Sequence, residues 1–120
     1  MINLDGGVVI VTGSASGSGA ATARMLSGRG SKVVINYSRS AKKAKAVAEA
    51  CRALGGEVIL QQADVSKDED CRLLAQVALD QWGRIDGLVN NAGTTQFCAH
   101  HDLEGLSAED FQKIYAVNTI

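Results

Sequence analysis

Apolar and polar residues follow one another along this chain in two rhythms, and each rhythm predicts an element. Gly7-Val8-Val9-Ile10-Val11 is a short unbroken apolar run that ends at Thr12-Gly13. Such a run predicts a strand buried on both faces, as in a parallel sheet. From about Gly17 to Arg29 a helix is expected, with Ala20, Ala23 and Leu26 on its inner face and Gly30 as its C-terminal cap. Lys32–Tyr37, built around Val33-Val34-Ile35, predicts a second buried strand. From about Ser40 to Leu54, the residues Ala44, Val47, Ala48, Cys51 and Leu54 fall at i, i+3, i+4, i+7 and i+10, one face of a helix.

The alternation continues. Gly55-Gly56 ends the second helix, and Glu57–Gln62 predicts a third strand around Val58-Ile59-Leu60. Ser66-Lys67-Asp68-Glu69 has the hydroxyl-to-Glu spacing of a capping box and should open a helix. Its inner stripe would be Cys71, Leu74, Ala75, Ala78 and Trp82, with Gly83 as the stop. Ile85–Val89 predicts a fourth strand. Ser107-Ala108-Glu109-Asp110 resembles another cap, before a last helix with Phe111, Ile114 and Tyr115 inward. Buried strands alternating with amphipathic helices imply an α/β domain whose parallel sheet is covered on both faces.

Composition narrows the class. The 120 residues are 46% hydrophobic and 21% charged, with net charge -1, which argues against disorder and against a globally basic nucleic-acid binder. The longest aliphatic run, Val8–Val11, is too short to cross a bilayer, and Met1–Asp5 has no signal-peptide character. Three cysteines without a C-x-x-C pair argue against a disulfide framework and for a reducing, cytoplasmic setting. The near-neutral total hides an asymmetry. Gly6–Ala48 holds seven basic residues and no acidic one, whereas the remainder holds five basic and thirteen acidic. A basic first third invites an anionic partner.

The candidate chemistry starts at Thr12-Gly13-Ser14-Ala15-Ser16-Gly17-Ser18-Gly19, between the first strand and the first helix. Gly13 lets the chain turn off the strand, Gly17 lets a diphosphate approach the backbone, and Gly19 lets the helix pack closely on the sheet. The helix start adds N–H groups and the positive end of its dipole. The G-x-x-x-G-x-G spacing differs from G-x-G-x-x-G, and no Gly-Lys-Ser/Thr of a P-loop follows. On the residues alone, Asp64 reads as a turn residue before Ser66. Asn118 lies four residues after Ile114 on the apolar stripe of the last predicted helix, where a buried amide needs a partner.

Thr12–Gly19, Asp64-Val65, Asn90-Asn91-Ala92-Gly93 and Asn118, in this order along the chain, resemble the short-chain dehydrogenase/reductase family. The resemblance implies a Rossmann-type doubly wound sheet of about four strands in the order 3-2-1-4, truncated before the fifth. Residues 1–120 would be a dinucleotide-binding domain, the front half of a longer protein. It further implies that Asp64 and Val65 lie beside the adenine, that Asn90, Asn91, Ala92 and Gly93 line the cofactor floor braced by Thr12, and that Asn118 is the asparagine of the catalytic tetrad. The activity implied is hydride transfer between a nicotinamide dinucleotide and a small carbonyl or alcohol substrate. Relatives of this kind are commonly homo-oligomers.

A NAD-binding fold usually carries an acid after its second strand. Here Asn36-Tyr37-Ser38-Arg39-Ser40 has none, and Lys42 and Lys43 oppose the dipole of the following helix. Ser38 and Arg39 would therefore receive a 2′-phosphate, which favours NADP(H) over NAD(H). Two positions depart from the family pattern: Ser16, where many NADP-preferring relatives carry a basic residue, and Ser18, where an aliphatic is common. The family's chemistry also needs a serine and a Tyr-x-x-x-Lys pair, and Tyr37 and Tyr115 are followed four residues on by Ala41 and Thr119. This stretch alone is therefore expected not to turn over. The competing expectation is a non-catalytic dinucleotide-binding or redox-sensing module. Cys98-Ala99-His100-His101-Asp102 reads as a loop near the substrate cleft, not as a metal site.

Overall fold

The computed structural model describes residues 6–15 and 17–89, and the backbone of residues 90 and 115–118. In chain order the elements are β1 (Val8–Val11), α1 (Gly17–Gly28), β2 (Lys32–Tyr37), α2 (Ala41–Ala53), β3 (Glu57–Gln62), α3 (Asp68–Trp82), β4 (Gly87–Asn90) and β5 (Tyr115–Asn118). The strands form one parallel sheet in the order β3-β2-β1-β4-β5. The four-strand order 3-2-1-4 expected from the resemblance is therefore present, with one short strand added beside β4.

β1 sits in the middle, paired through Val9 to Val33 of β2 and to Gly87 of β4. All four of its residues are buried. The period of two sends Val8 and Ile10, with Val34, into one apolar layer completed by Cys71, Leu74, Ala75 and Ala78 of α3. Val9 and Val11, with Val33 and Ile35, enter the opposite layer, under Ala20, Ala23 and Leu26 of α1 and Ala44, Val47, Ala48 and Cys51 of α2. This is why the strand segments read as unbroken apolar runs: both faces are covered. Cys51 and Cys71 are free and buried. Among the described residues no helix is long and apolar enough to cross a membrane.

Three local expectations are corrected. The capping box at Ser66–Glu69 does not form. Lys67 is the N-cap, with no side-chain cap bond, and α3 starts at Asp68. Ser66 instead donates its hydroxyl to Asp64 Oδ1 at 2.6 Å and its N–H to the same oxygen at 3.0 Å. The preceding carboxylate captures the hydroxyl in an Asx-type turn before the helix can use it. Asp70, not Glu69, reaches back, accepting the Asp64 N–H at 2.7 Å.

Leu54 is the second correction. It lies one residue past α2, as its C-cap, and is 52% exposed instead of facing the core. The turn into Gly55, at φ +89°, takes it off the helical stripe. Third, Tyr115 and Asn118 lie on a strand and not on a helix, while Phe111 and Ile114 fall outside the described residues. Tyr115-Ala116-Val117-Asn118 aligns with Gly87-Leu88-Val89-Asn90, so the backbone of β4 gains a ladder it would otherwise leave open.

One close approach holds the α2–β3 turn against α1. A Cβ at Gly56 would lie 2.6 Å from Ser27 Cβ and 3.1 Å from the Cys51 carbonyl oxygen. Ser27 itself is buried, and its hydroxyl finds no partner among the described residues. Gly56→Ala should therefore destabilise the fold by about 1–3 kcal/mol through overpacking. Ser27→Ala should be neutral or stabilising, because it removes an unmet polar atom. Urea unfolding of both variants checks the pair, and a Gly56→Ala midpoint equal to that of the parent would refute the close approach.

Candidate functional site

The site is built where β1 ends. Its two neighbours, β2 and β4, lie on opposite sides of it, and the chain leaves it to form α1 above one face of the sheet. In doubly wound sheets a crevice opens at this position, beyond the carboxyl ends of the strands. The exit turn cannot follow either strand pairing, so its polar groups must be met locally.

They are met from both sides. Thr12 donates its N–H to the Val89 carbonyl of β4 at 3.0 Å, with its hydroxyl 3.4 Å from the same oxygen. Gly13 donates its N–H to Asn36 Oδ1 of β2 at 3.0 Å. Ser14 donates its N–H to the Asn36 carbonyl at 3.0 Å, its hydroxyl donates to the Val11 carbonyl at 2.8 Å, and that hydroxyl accepts the Asn36 N–H at 2.9 Å. Thr12 and Ser14 are fully buried. They are braces of the loop, facing the sheet.

The rest of the loop faces the other way. Gly13 and Gly17 both have φ +61°, a conformation that side-chain-bearing residues rarely adopt. Gly17 and Ser18 are exposed at the start of α1, and a Cβ at Gly17 would meet no described heavy atom within 4 Å. Gly19 is buried. The first turn of α1 carries no acidic residue. Ser16 lies outside the described residues.

The second wall follows β2 and β3. Ser38 and Arg39 are exposed, and the Ser38 carbonyl accepts a hydrogen bond from Gln62 Nε2 at 3.0 Å. Asp64 is exposed in the β3–α3 turn. Val65 is half-buried against the α3 layer, its carbonyl accepting the Cys71 thiol at 3.3 Å. The hydroxyl and N–H of Ser66 hold the Asp64 carboxyl below its ordinary value of 3.8, and the charges of Lys67 and Arg39 pull weakly the same way.

On the other side of β1, the backbone of Asn90 follows Val89 and pairs in register with that of Asn118. Asn91, Ala92, Gly93 and the Cys98–Asp102 segment lie outside the described residues. Sequence reasoning missed three residues that shape the site: Asn36, Gln62 and Asp70. A signal existed for Asn36, an amide ending a run of buried aliphatics, which must find partners. Gln62 and Asp70 carried none, because their partners are backbone groups brought near only by the fold.

The depressed Asp64 value has a pH consequence. A carboxylate held low in the fold adds stability above its unfolded value and loses that contribution as pH falls through the folded one. Carboxyl-resolved NMR should show Asp64 titrating below 3.8. Ser66→Ala should return it toward the ordinary value, and no movement in that variant would show that Ser66 is not the cause.

The sequence pattern of the short chain dehydrogenase family matches residues 7–120. An uncharacterized oxidoreductase of Methylorubrum extorquens is 43% identical over all 120 residues, which span 47% of that protein. The chain thus spans about half the length of such relatives. A short-chain dehydrogenase/reductase from Burkholderia phymatum, solved in complex with NAD, superposes with a TM-score of 0.73 at 35% identity, over 78% of this chain and 33% of the other. A protein from Burkholderia cenocepacia, solved with bound NADP, gives 0.69 at 35% identity, over 73% and 34%. Matching sequence pattern, strand order and glycine turn over one and the same stretch, the chain belongs to the short-chain dehydrogenase family.

Proposed function

We propose that residues 1–120 form the dinucleotide-binding front half of a nicotinamide-dependent oxidoreductase acting on a carbonyl or alcohol. The observation that carries this reading is the Thr12–Gly19 turn. Its sheet side is tied to β2 and β4, and its outer side presents exposed Gly17 and Ser18 at a helix start free of carboxylates. A diphosphate fits this donor set. It is anionic, it needs close backbone approach, and the dipole of α1 favours it. Open space where a Gly17 side chain would stand gives it room.

The other residues take roles around that anchor. Thr12, Gly13, Ser14, Ser16, Gly17, Ser18 and Gly19 hold or border the diphosphate. Asp64 and Val65 flank the adenine, and Asn90, Asn91, Ala92 and Gly93 run beneath the nicotinamide half. Asn118, whose backbone stands beside that of Asn90, supplies the catalytic amide. When bound, the nicotinamide supplies the hydride donor or acceptor. The stretch of 120 residues taken alone binds the dinucleotide weakly at best and turns nothing over, because it has no tyrosine followed four residues on by lysine.

NADP(H) is the preferred cofactor. Ser38 and Arg39 occupy the exposed exit of β2, with no carboxylate among Asn36–Ser40 to bond a 2′-hydroxyl. A guanidinium there can form paired hydrogen bonds with a 2′-phosphate. NADPH should accordingly raise the melting temperature of the complete protein more than NADH at equal concentration. Arg39→Asp should weaken NADPH binding by about tenfold or more while changing NADH binding little. Equal losses, or none, would remove Arg39 as the reader of the phosphate.

A further inference from the structure

The proposed cofactor site has two walls, and one buried side chain joins them. Asn36 ends the apolar part of β2 and is 2% exposed. Its Oδ1 accepts the Gly13 N–H at 3.0 Å, in the turn after β1. Its Nδ2 donates to the Ala63 carbonyl at 3.1 Å, in the segment after β3 that leads into Asp64. The same nitrogen lies 3.4 Å from the Tyr37 carbonyl and 3.5 Å from that of Gln61. The Asn36 backbone meanwhile exchanges bonds with Ser14. One planar amide therefore spans from the glycine turn to the Ala63–Asp64 turn, across the end of β2.

Resting on the dinucleotide reading above, we propose that Asn36 is a positioning residue that sets the distance between the diphosphate turn and the adenosine wall. A side-chain amide is suited to this because it accepts on one atom and donates on the other. A carboxylate at this site would face the Ala63 carbonyl without a proton to give, and a hydroxyl is too short to reach both turns. Being buried, Asn36 does not touch the ligand and acts through Gly13 and Ala63. A dinucleotide that bridges the two turns gains from a spacing already fixed before it binds. The 2′-position is read elsewhere, at Ser38 and Arg39. Loss of the Asn36 amide should therefore weaken NADPH and NADH alike and leave their ratio unchanged.

The test measures dissociation constants for NADPH and NADH on the complete protein, well below its melting temperature. The variants are Asn36→Ala and Asn36→Thr, the second keeping a strand-favouring residue should the first not fold. Gly56→Ala serves as a control, since it should destabilise the fold from the amino end of β3, the end opposite the Ala63 turn. The expected result is a loss of about tenfold for both dinucleotides in the Asn36 variants. Gly56→Ala should melt earlier and bind as the parent does. Asn36 variants that bind like the parent overturn the proposal. So does a loss confined to NADPH, or an equal loss in Gly56→Ala. A parent protein that binds neither dinucleotide removes the underlying functional reading instead.

Discussion

Everything at the site follows from the burial of β1. Its four residues are covered on both faces, and both of its edges are occupied by parallel neighbours. The chain can leave such a strand only at its end, and each polar group of the exit turn must then find a partner or cost free energy. Val89 meets Thr12 from one side, and Asn36 meets Gly13 and Ser14 from the other. The inner side of the turn is thereby fixed, and its glycines, at positive φ, carry the remainder outward to the start of α1. The shape that could hold an anion is a by-product of satisfying the backbone.

Charge is distributed to the same end. Helices gain stability from acidic residues in their first turn. α3 uses this with Asp68, Glu69 and Asp70, whereas α1 and α2 have no acid there, and α2 begins instead with exposed Lys42 and Lys43. The two helices that follow β1 and β2 thus forgo a stabilisation of some tenths of a kcal/mol per residue. Packing does not require that choice, since those lysines are exposed. The anionic ligand proposed over the ends of β1 and β2 would account for it.

The layered architecture was legible because its signals are periodic. Val8–Val11 and Lys32–Tyr37 read as buried strands, and the α2 and α3 stripes read as helix faces, and each of these packs as read. The failures share one cause, which is competition from a partner distant along the chain or from a turn. Ser66 had the right spacing for a cap, but Asp64 took its hydroxyl. Leu54 continued the stripe by arithmetic, but the helix had already ended at Ala53. Tyr115–Asn118 had helical spacing to the residues before it, and pairing with β4 outweighed that. The glycine turn was legible as a motif. That the Asn36 amide needs partners was legible too, but their identity was not, because Gly13 and Ala63 lie 23 and 27 residues away in opposite directions.

The two walls differ in how freely they can change. Asn36 is enclosed, and any substitution there must also satisfy a donor and an acceptor in separate turns. Arg39 stands in an exposed bend beside Ser38, whose carbonyl is held by Gln62. Replacing Arg39 disturbs no buried partner. On the proposed reading, affinity for the portion common to all dinucleotides would rest on the interior, where alteration is costly. On the same reading, discrimination at the ribose would lie on the surface, where a substitution disturbs little. A change of nicotinamide cofactor would then leave the glycine turn, and the amide bracing it, as they are.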